Sequence, residues 1–245
     1  MATARTARVT ATRPLTDEVQ LLDLELTDGG PFGFRGGQYL IVNTGVVLEG
    51  GKLAKRAYSL LSSDTGQSRV QIAVKRLDGG PGSAAMHALK TGDELSFSGP
   101  WGKLVPEPES PGAALVVCTD TGITAGLGLA CAEAFAPFHE RSAFLWYVER
   151  GDFLPLSFVR ERMGQLADRL IVVDALPVRH PERAAHAGDA VRRHLEANGA
   201  PAQALLAGDG HLIFPLRDAL VAASAPEEGV RLEAFFHNPA RKAPG

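Results

Sequence analysis

Within residues 56–59 stand an arginine, a tyrosine and a serine, Arg56, Tyr58 and Ser59, in the run RAYSLLSS. Apolar and polar positions alternate there as on a half-buried β-strand. A cation, a flat ring and a hydroxyl so close together suit a ligand that is at once planar, hydrogen-bonding and anionic. Tyrosine offers an aromatic face for stacking. Arginine pairs with phosphate in a forked geometry that lysine does not reproduce. On a regular strand residues 56 and 58 share one face and 59 the other, so twist or a bulge must bring Ser59 round. A plain edge strand with an exposed arginine explains RAYS alone equally well, so its neighbours have to decide.

The second cluster is GPGS, residues 80–83, followed by the helix-like SAAMHALK. Gly80 and Gly82 allow a close backbone approach to a phosphate, and Ser83 is expected to open a helix whose free N–H groups favour an anion. Val74 and Lys75 lie on the strand before it. Further on, ALVVC runs into TDTGITAGLG and QALLAG into DGHLIF, two strand ends rich in small residues. The first has the look of a nucleotide turn without being G-x-G-x-x-G. The seven histidines show no metal-ligand spacing, and no serine sits in a G-x-S-x-G elbow.

The elements that must position these residues fall into two groups. VTATR, EVQLLDLEL, QYLIVNTG, KRAYSLLSS, RVQIAVKRL and DELSFSGP read as six short strands with Gly-rich turns, an antiparallel barrel or sandwich. Residues 106–112, PEPESPG, break the pattern with three prolines. Beyond them ALVVC, AFLWYVE, LIVVDAL, QALLAG and VRLEAFF are apolar runs alternating with helical stretches, which gives a parallel sheet with right-handed crossovers. The expected fold is therefore β plus α/β: residues 1–108 a six-stranded antiparallel β-barrel, residues 112–245 an open parallel-sheet domain. In such a sheet ligands collect beyond the carboxyl ends of the strands.

A length of 245 residues suits two modest cores, and a net charge of −3 argues against non-specific binding to nucleic acid or anionic membranes. No apolar run is long enough to span a bilayer. The start MATARTARVT lacks the apolar core of a secretory signal, so the expected location is cytoplasmic. Two cysteines, Cys118 and Cys131, sit in apolar stretches and read as buried reduced thiols; two cannot hold an iron–sulfur cluster.

RAYS, GPGS and GPWGKL (residues 99–104), in that order, resemble the ferredoxin–NADP reductase family of flavoproteins. FRGGQYL (34–40) resembles the stretch before the flavin strand, and LEAFF (232–236) the family's Glu-x-Phe ending on Glu233 and Phe235. The resemblance implies a barrel that holds FAD, with FMN as the alternative, and an α/β domain that receives NADH or NADPH. It implies that Tyr58 stacks on the isoalloxazine, that Ser59 stands near its N5, and that Arg56 pairs with the phosphates. It places the G-x-x-S pattern on Gly80 and Ser83, backbone contacts on Val74 and Lys75, and Phe235 near the flavin face. Thr121, Gly122, Ile123, Thr124, Gly208 and Asp209 become the expected nucleotide-binding residues, with Thr121 also near the flavin. The implied acceptor is a separate iron–sulfur protein or oxygenase component.

Two departures stand out. The family's run Gly-Gly-Thr-Gly-Ile-Ala/Thr-Pro is here Thr119, Asp120, Thr121, Gly122, Ile123, Thr124, Ala125, and its Cys-Gly-Pro is here Ala207, Gly208, Asp209. Two acids thus stand where a pyrophosphate and a nicotinamide are expected. Asp120 is expected near solvent, at a helix N-terminus, where a carboxylate repels an incoming anion. Two outcomes stay open: a working nucleotide site with drifted residues, or a flavin-binding electron-transfer subunit that no longer uses NAD(P)H. A flavin-free interaction module is the reading from another class. Arg150, after LWYVE, is a further candidate phosphate contact.

Overall fold

All six strands expected in the first part of the chain form, and they pair into one antiparallel sheet. The structure is a computed structural model and describes residues 4–239 except residues 150 and 152, so Arg150 lies outside the described residues. The strands are β1 (Arg5–Pro14), β2 (Val19–Leu26), β3 (Tyr39–Val47), β4 (Leu53–Ser59), β5 (Arg69–Lys75) and β6 (Glu94–Trp101), in the order β4-β3-β6-β1-β2-β5. The sheet curls until its edges meet, where the Leu61 N–H donates to the Gln71 carbonyl at 2.9 Å. Alternation explains the curl: Leu22, Leu24, Leu40, Val42, Ile72 and Phe97 point inward into one apolar cluster while their neighbours face out. The helix α1 (Pro81–His87) covers one mouth and contributes Met86 to that cluster.

The second part is a five-stranded parallel sheet of β7 (Ala114–Thr119), β8 (Ser142–Val148), β9 (Leu170–Asp174), β10 (Gln203–Asp209) and β11 (Val230–Phe236). Around it lie α2 (Ile123–Ala130), α3 (Leu156–Met163), α4 (Arg183–Asn198) and α5 (Gly210–Ala222). Every residue of β7 and β10 is buried, which is why these strands read as unbroken apolar runs. The order β11-β10-β7-β8-β9 puts the reversal of the sheet between β10 and β7. Polar residues mark the starts of α4 and α5: Arg183 opens α4, and Asp209 caps α5.

The two sheets share a core. Val19, Leu21 and Leu61 of the β part pack in one apolar cluster with Val116, Leu127, Phe135 and Phe144 of the α/β part. Three glycines make the approach possible: a Cβ on Gly36 would collide with the Gly128 carbonyl, one on Gly37 with the Leu104 carbonyl, and one on Gly128 with the Leu60 carbonyl. Asp64 fastens the seam with both carboxylate oxygens, accepting from Gly36 N–H at 3.0 Å and Glu133 N–H at 2.9 Å. The Gly-Gly of FRGGQYL thus shapes the junction between the sheets.

Candidate functional site

Edge strand β4 is where the sheet's outer rim meets the carboxyl ends of the parallel strands. A cavity of ≈ 470 Å³ lies there. On the barrel side it is lined by Arg56, Tyr58 and Ser59 of β4, with Lys75 of β5 and Ser83 of α1; on the α/β side it is lined by Thr121, Thr124 and Phe235. Residues from both faces of the strand, Arg56 and Tyr58 from one and Ser59 from the other, line the cavity.

Arg56 is half-buried and its Nη1 donates to the Lys55 carbonyl at 2.9 Å; among the described residues no carboxylate lies within ion-pair distance of it. It leans on Gly82, where a Cβ would stand 3.3 Å from Nε, so glycine there lets the guanidinium lie along the α1 backbone. Burial pushes the Tyr58 hydroxyl up to about 12, opposed by the neighbouring Arg56 charge, so the phenol stays protonated and able to donate. Ser59 is buried against the cavity.

GPGS needs one correction. The helix opens at Pro81 with Gly80 as its cap residue, and Ser83 stands within the first turn. Its buried hydroxyl donates to the Gly80 carbonyl at 2.9 Å and accepts from the Leu77 N–H at 3.1 Å. Pro81 takes the first helical position because its fixed φ suits it, which displaces the serine inward. Val74 is fully buried in the barrel core, and Lys75 lies at the cavity wall.

The larger correction concerns Asp120. It is buried, 6% exposed, not near solvent, and its side chain caps no helix. Its backbone sits at φ 51°, which turns the carboxylate inward to Arg183, Nη2 to Oδ1 2.7 Å. Arg183, 4% exposed, also reaches Asp209 (Nη1 to Oδ2 3.3 Å) and donates from Nε to the Leu176 carbonyl at 2.9 Å. Asp209 caps α5 through His211 N–H and meets His237 Nδ1 at 2.8 Å, while its own N–H donates to Thr119 Oγ1 at 2.7 Å. The two departures from the family pattern are therefore joined by one buried cation. Arg183 had no signal of its own in the sequence, although two acids at adjoining strand ends call for a cation nearby.

Among the expected nucleotide residues, Thr121 and Thr124 reach the cavity; Thr124 Oγ1 donates to the Thr121 carbonyl at 2.9 Å. Gly122 and Gly208 lie instead at the strand ends, packed on Ala207 and Thr119, and Ile123 is wholly buried in the core. Phe153 and Ile41 line the cavity and carry no motif that would have marked them, while Tyr39, which also lines it, stands in FRGGQYL. Cys118 is buried and Cys131 half-buried, not fully buried as expected; both are free thiols, and burial pushes the Cys118 thiol up to about 12.

Residues 6–105 match the family model of the oxidoreductase FAD-binding domain. The chain is 43% identical over 118 residues to ferredoxin–NADP reductase B of Sorangium cellulosum, covering 48% of this chain and 47% of that one. It is 29% identical over 117 residues to terephthalate 1,2-dioxygenase reductase component 2 of Comamonas, covering 48% and 33%. These matches span less than half of the relatives' own lengths. In fold it is similar to the ferredoxin reductase of carbazole 1,9a-dioxygenase, TM-score 0.74 at 19% identity over 96% of this chain and 70% of that one. Residues 6–105 are thus similar in sequence to the oxidoreductase FAD-binding domain, and the chain shares the two-sheet fold of that ferredoxin reductase.

Proposed function

We propose that this chain is an FAD-dependent oxidoreductase that takes electrons from NADH or NADPH and passes them singly to an iron–sulfur protein or oxygenase component. The observation that carries it is the cavity at β4, where a cation without a carboxylate partner, a half-buried phenol and a buried hydroxyl converge. The relatives, a ferredoxin–NADP reductase and a dioxygenase reductase component, support the same donor and acceptor classes.

The residues fit FAD. Arg56 lies beside the side-chain-free backbone of Gly82, a cradle that a Cβ would crowd, and the pair suits a phosphate. Tyr58 supplies a flat face for the ring, and Ser59 a hydroxyl beside it for N5. Gly80 and Ser83 hold the turn in shape, and Lys75 at the cavity wall, with Val74 before it, would offer backbone groups to the flavin. When bound, the flavin accepts a hydride's two electrons together and releases them one at a time, so the protein has to supply binding, orientation and exclusion of water. Phe235, Phe153 and Thr121 line the far side of the cavity. We place the flavin domain at residues 1–108 and the nucleotide-type domain at 112–245. No helix among the described residues is long and apolar enough to cross a membrane, and the two free thiols suit a reducing cytoplasm.

Anaerobic mixing of the purified yellow protein with NADH and with NADPH should bleach the flavin absorbance. A preparation that binds no added FAD overturns the reading. One observation favours the second reading, a flavin-bound electron-transfer subunit without NAD(P)H: the Arg183 bridge stands where the nucleotide domain would receive its ligand.

A further inference from the structure

Open α/β sheets take ligands in the crevice above the point where strand order reverses. Here that point lies between β10 and β7, and the strand ends there are crowded from two sides. From the sheet, backbone meets backbone: a Cβ on Gly122 would collide with the Ala207 carbonyl, and one on Gly208 with Thr119. From the helix side, Arg183 at the start of α4 lies across both strand ends, bound to Asp120 at 2.7 Å and Asp209 at 3.3 Å. Its guanidinium carbon stands 5.4 Å from the Tyr147 ring centroid, and Nε is taken by the Leu176 carbonyl. All three nitrogens are engaged.

The bridge joins two carboxylates to one guanidinium, and Asp209 also meets His237 Nδ1 at 2.8 Å. An entering pyrophosphate would meet a carboxylate at each strand end, and to capture Arg183 it would have to strip both of a buried counterion. That exchange is unfavourable, because a buried charge left without its partner costs more than a new pair at the rim returns. The flavin end differs: the cavity at β4 reaches Thr121, Thr124 and Phe235, away from the bridge residues Asp120, Arg183 and Asp209, which do not line it.

We propose that the Asp120–Arg183–Asp209 bridge fills the subsite that would take the pyrophosphate and adenylate of a pyridine dinucleotide, so that a reduced nicotinamide donor is recognised by its ring alone. This rests on the donor reading above and sharpens its substrate class. The bridge then acts as a specificity element: it removes any advantage of a dinucleotide over a small dihydronicotinamide.

The test is isothermal titration of the flavin-loaded protein with ADP-ribose, which carries the pyrophosphate and adenylate without the nicotinamide. The parent should bind it no tighter than about 1 mM, and the variant Asp120→Gly/Asp209→Asn at least about tenfold tighter, since both carboxylate charges are gone while residue 209 still offers an oxygen as helix cap. Micromolar binding by the parent overturns the proposal, and so does a folded double variant that binds no better. Should the double variant lose its fold by circular dichroism, Asp120→Gly alone serves, because glycine accepts the φ of 51° at that position; it should still tighten binding about threefold or more, and no gain overturns the proposal. In parallel, NADH, NADPH and 1-benzyl-1,4-dihydronicotinamide should bleach the flavin at rates within about tenfold of one another. A hundredfold preference for either dinucleotide overturns the proposal. If no donor bleaches a yellow protein, the donor reading fails, while the ADP-ribose titration still decides the subsite.

Discussion

Arg56 is the side chain on which flavin retention should turn, because it faces the cavity with no carboxylate to hold. A charge-assisted contact to a phosphate is worth about 1.5–3 kcal/mol. Arg56→Ala should therefore weaken FAD binding by roughly tenfold to a hundredfold, read by titrating the apo-protein, with a much smaller change in the apo-protein's melting temperature. Full flavin retention through extensive dialysis would remove Arg56 from the site. Tyr58→Ser should shift the visible spectrum and reduction potential of the bound flavin, whereas Tyr58→Phe, which keeps the flat face, should leave the spectrum near the parent's; a spectrum untouched by the serine variant would make Tyr58 a core residue only. These residues were legible in the sequence because they lie within four positions on one strand and their chemistry is local. Arg183 was not, because its partners stand 63 and 26 residues away and only the fold brings them together. Asp120 was misjudged for the same reason: a sequence shows a carboxylate at a helix start but not the positive φ that turns it inward.

At the scale of elements, strands were the most legible feature, since period-2 alternation marks β1 to β6 and mostly apolar runs mark β7 to β11. Helix starts were less so, because α4 and α5 begin with polar residues that belong to the bridge and its cap rather than to an apolar face. The seam between the sheets was unreadable: Gly36, Gly37 and Gly128 look like ordinary loop and helix glycines until the loop before β3 is seen packed on α2. The seam makes its own prediction. Gly128→Ala places a methyl group into the Leu60 carbonyl, and neither backbone can yield cheaply. An overpacking cost of about 1–3 kcal/mol should lower the melting temperature by roughly 2–12 °C for a chain of this size. Gly188→Ala, at a position in α4 with open space around it, is the control and should leave the melting temperature level or slightly raised. Equal losses for the two variants would show that the seam carries no special packing.

For the molecule as a whole, the shared core decides how the two sheets respond to heat and to ligand. Leu21 and Leu61 cannot leave the cluster that holds Val116 and Phe144 without exposing apolar surface on both sides, and Asp64 would give up two backbone donors at once. Unfolding either sheet alone therefore forfeits burial that the other relies on, so calorimetry should show one cooperative transition rather than two. The cavity at β4 draws its walls from both sheets, which couples ligand binding to the same transition. A ligand that binds only the folded state adds about 2.7 kcal/mol at a hundred times its dissociation constant. Saturating FAD should then raise the single melting temperature by roughly 5–11 °C. Arg56→Ala, measured at the same FAD concentration, should recover only part of that rise, because its dissociation constant is closer to the ligand concentration. Two resolved transitions, with FAD shifting only the first, would show instead that the flavin-binding sheet melts on its own and that the seam, for all its close packing, is not part of the cooperative unit.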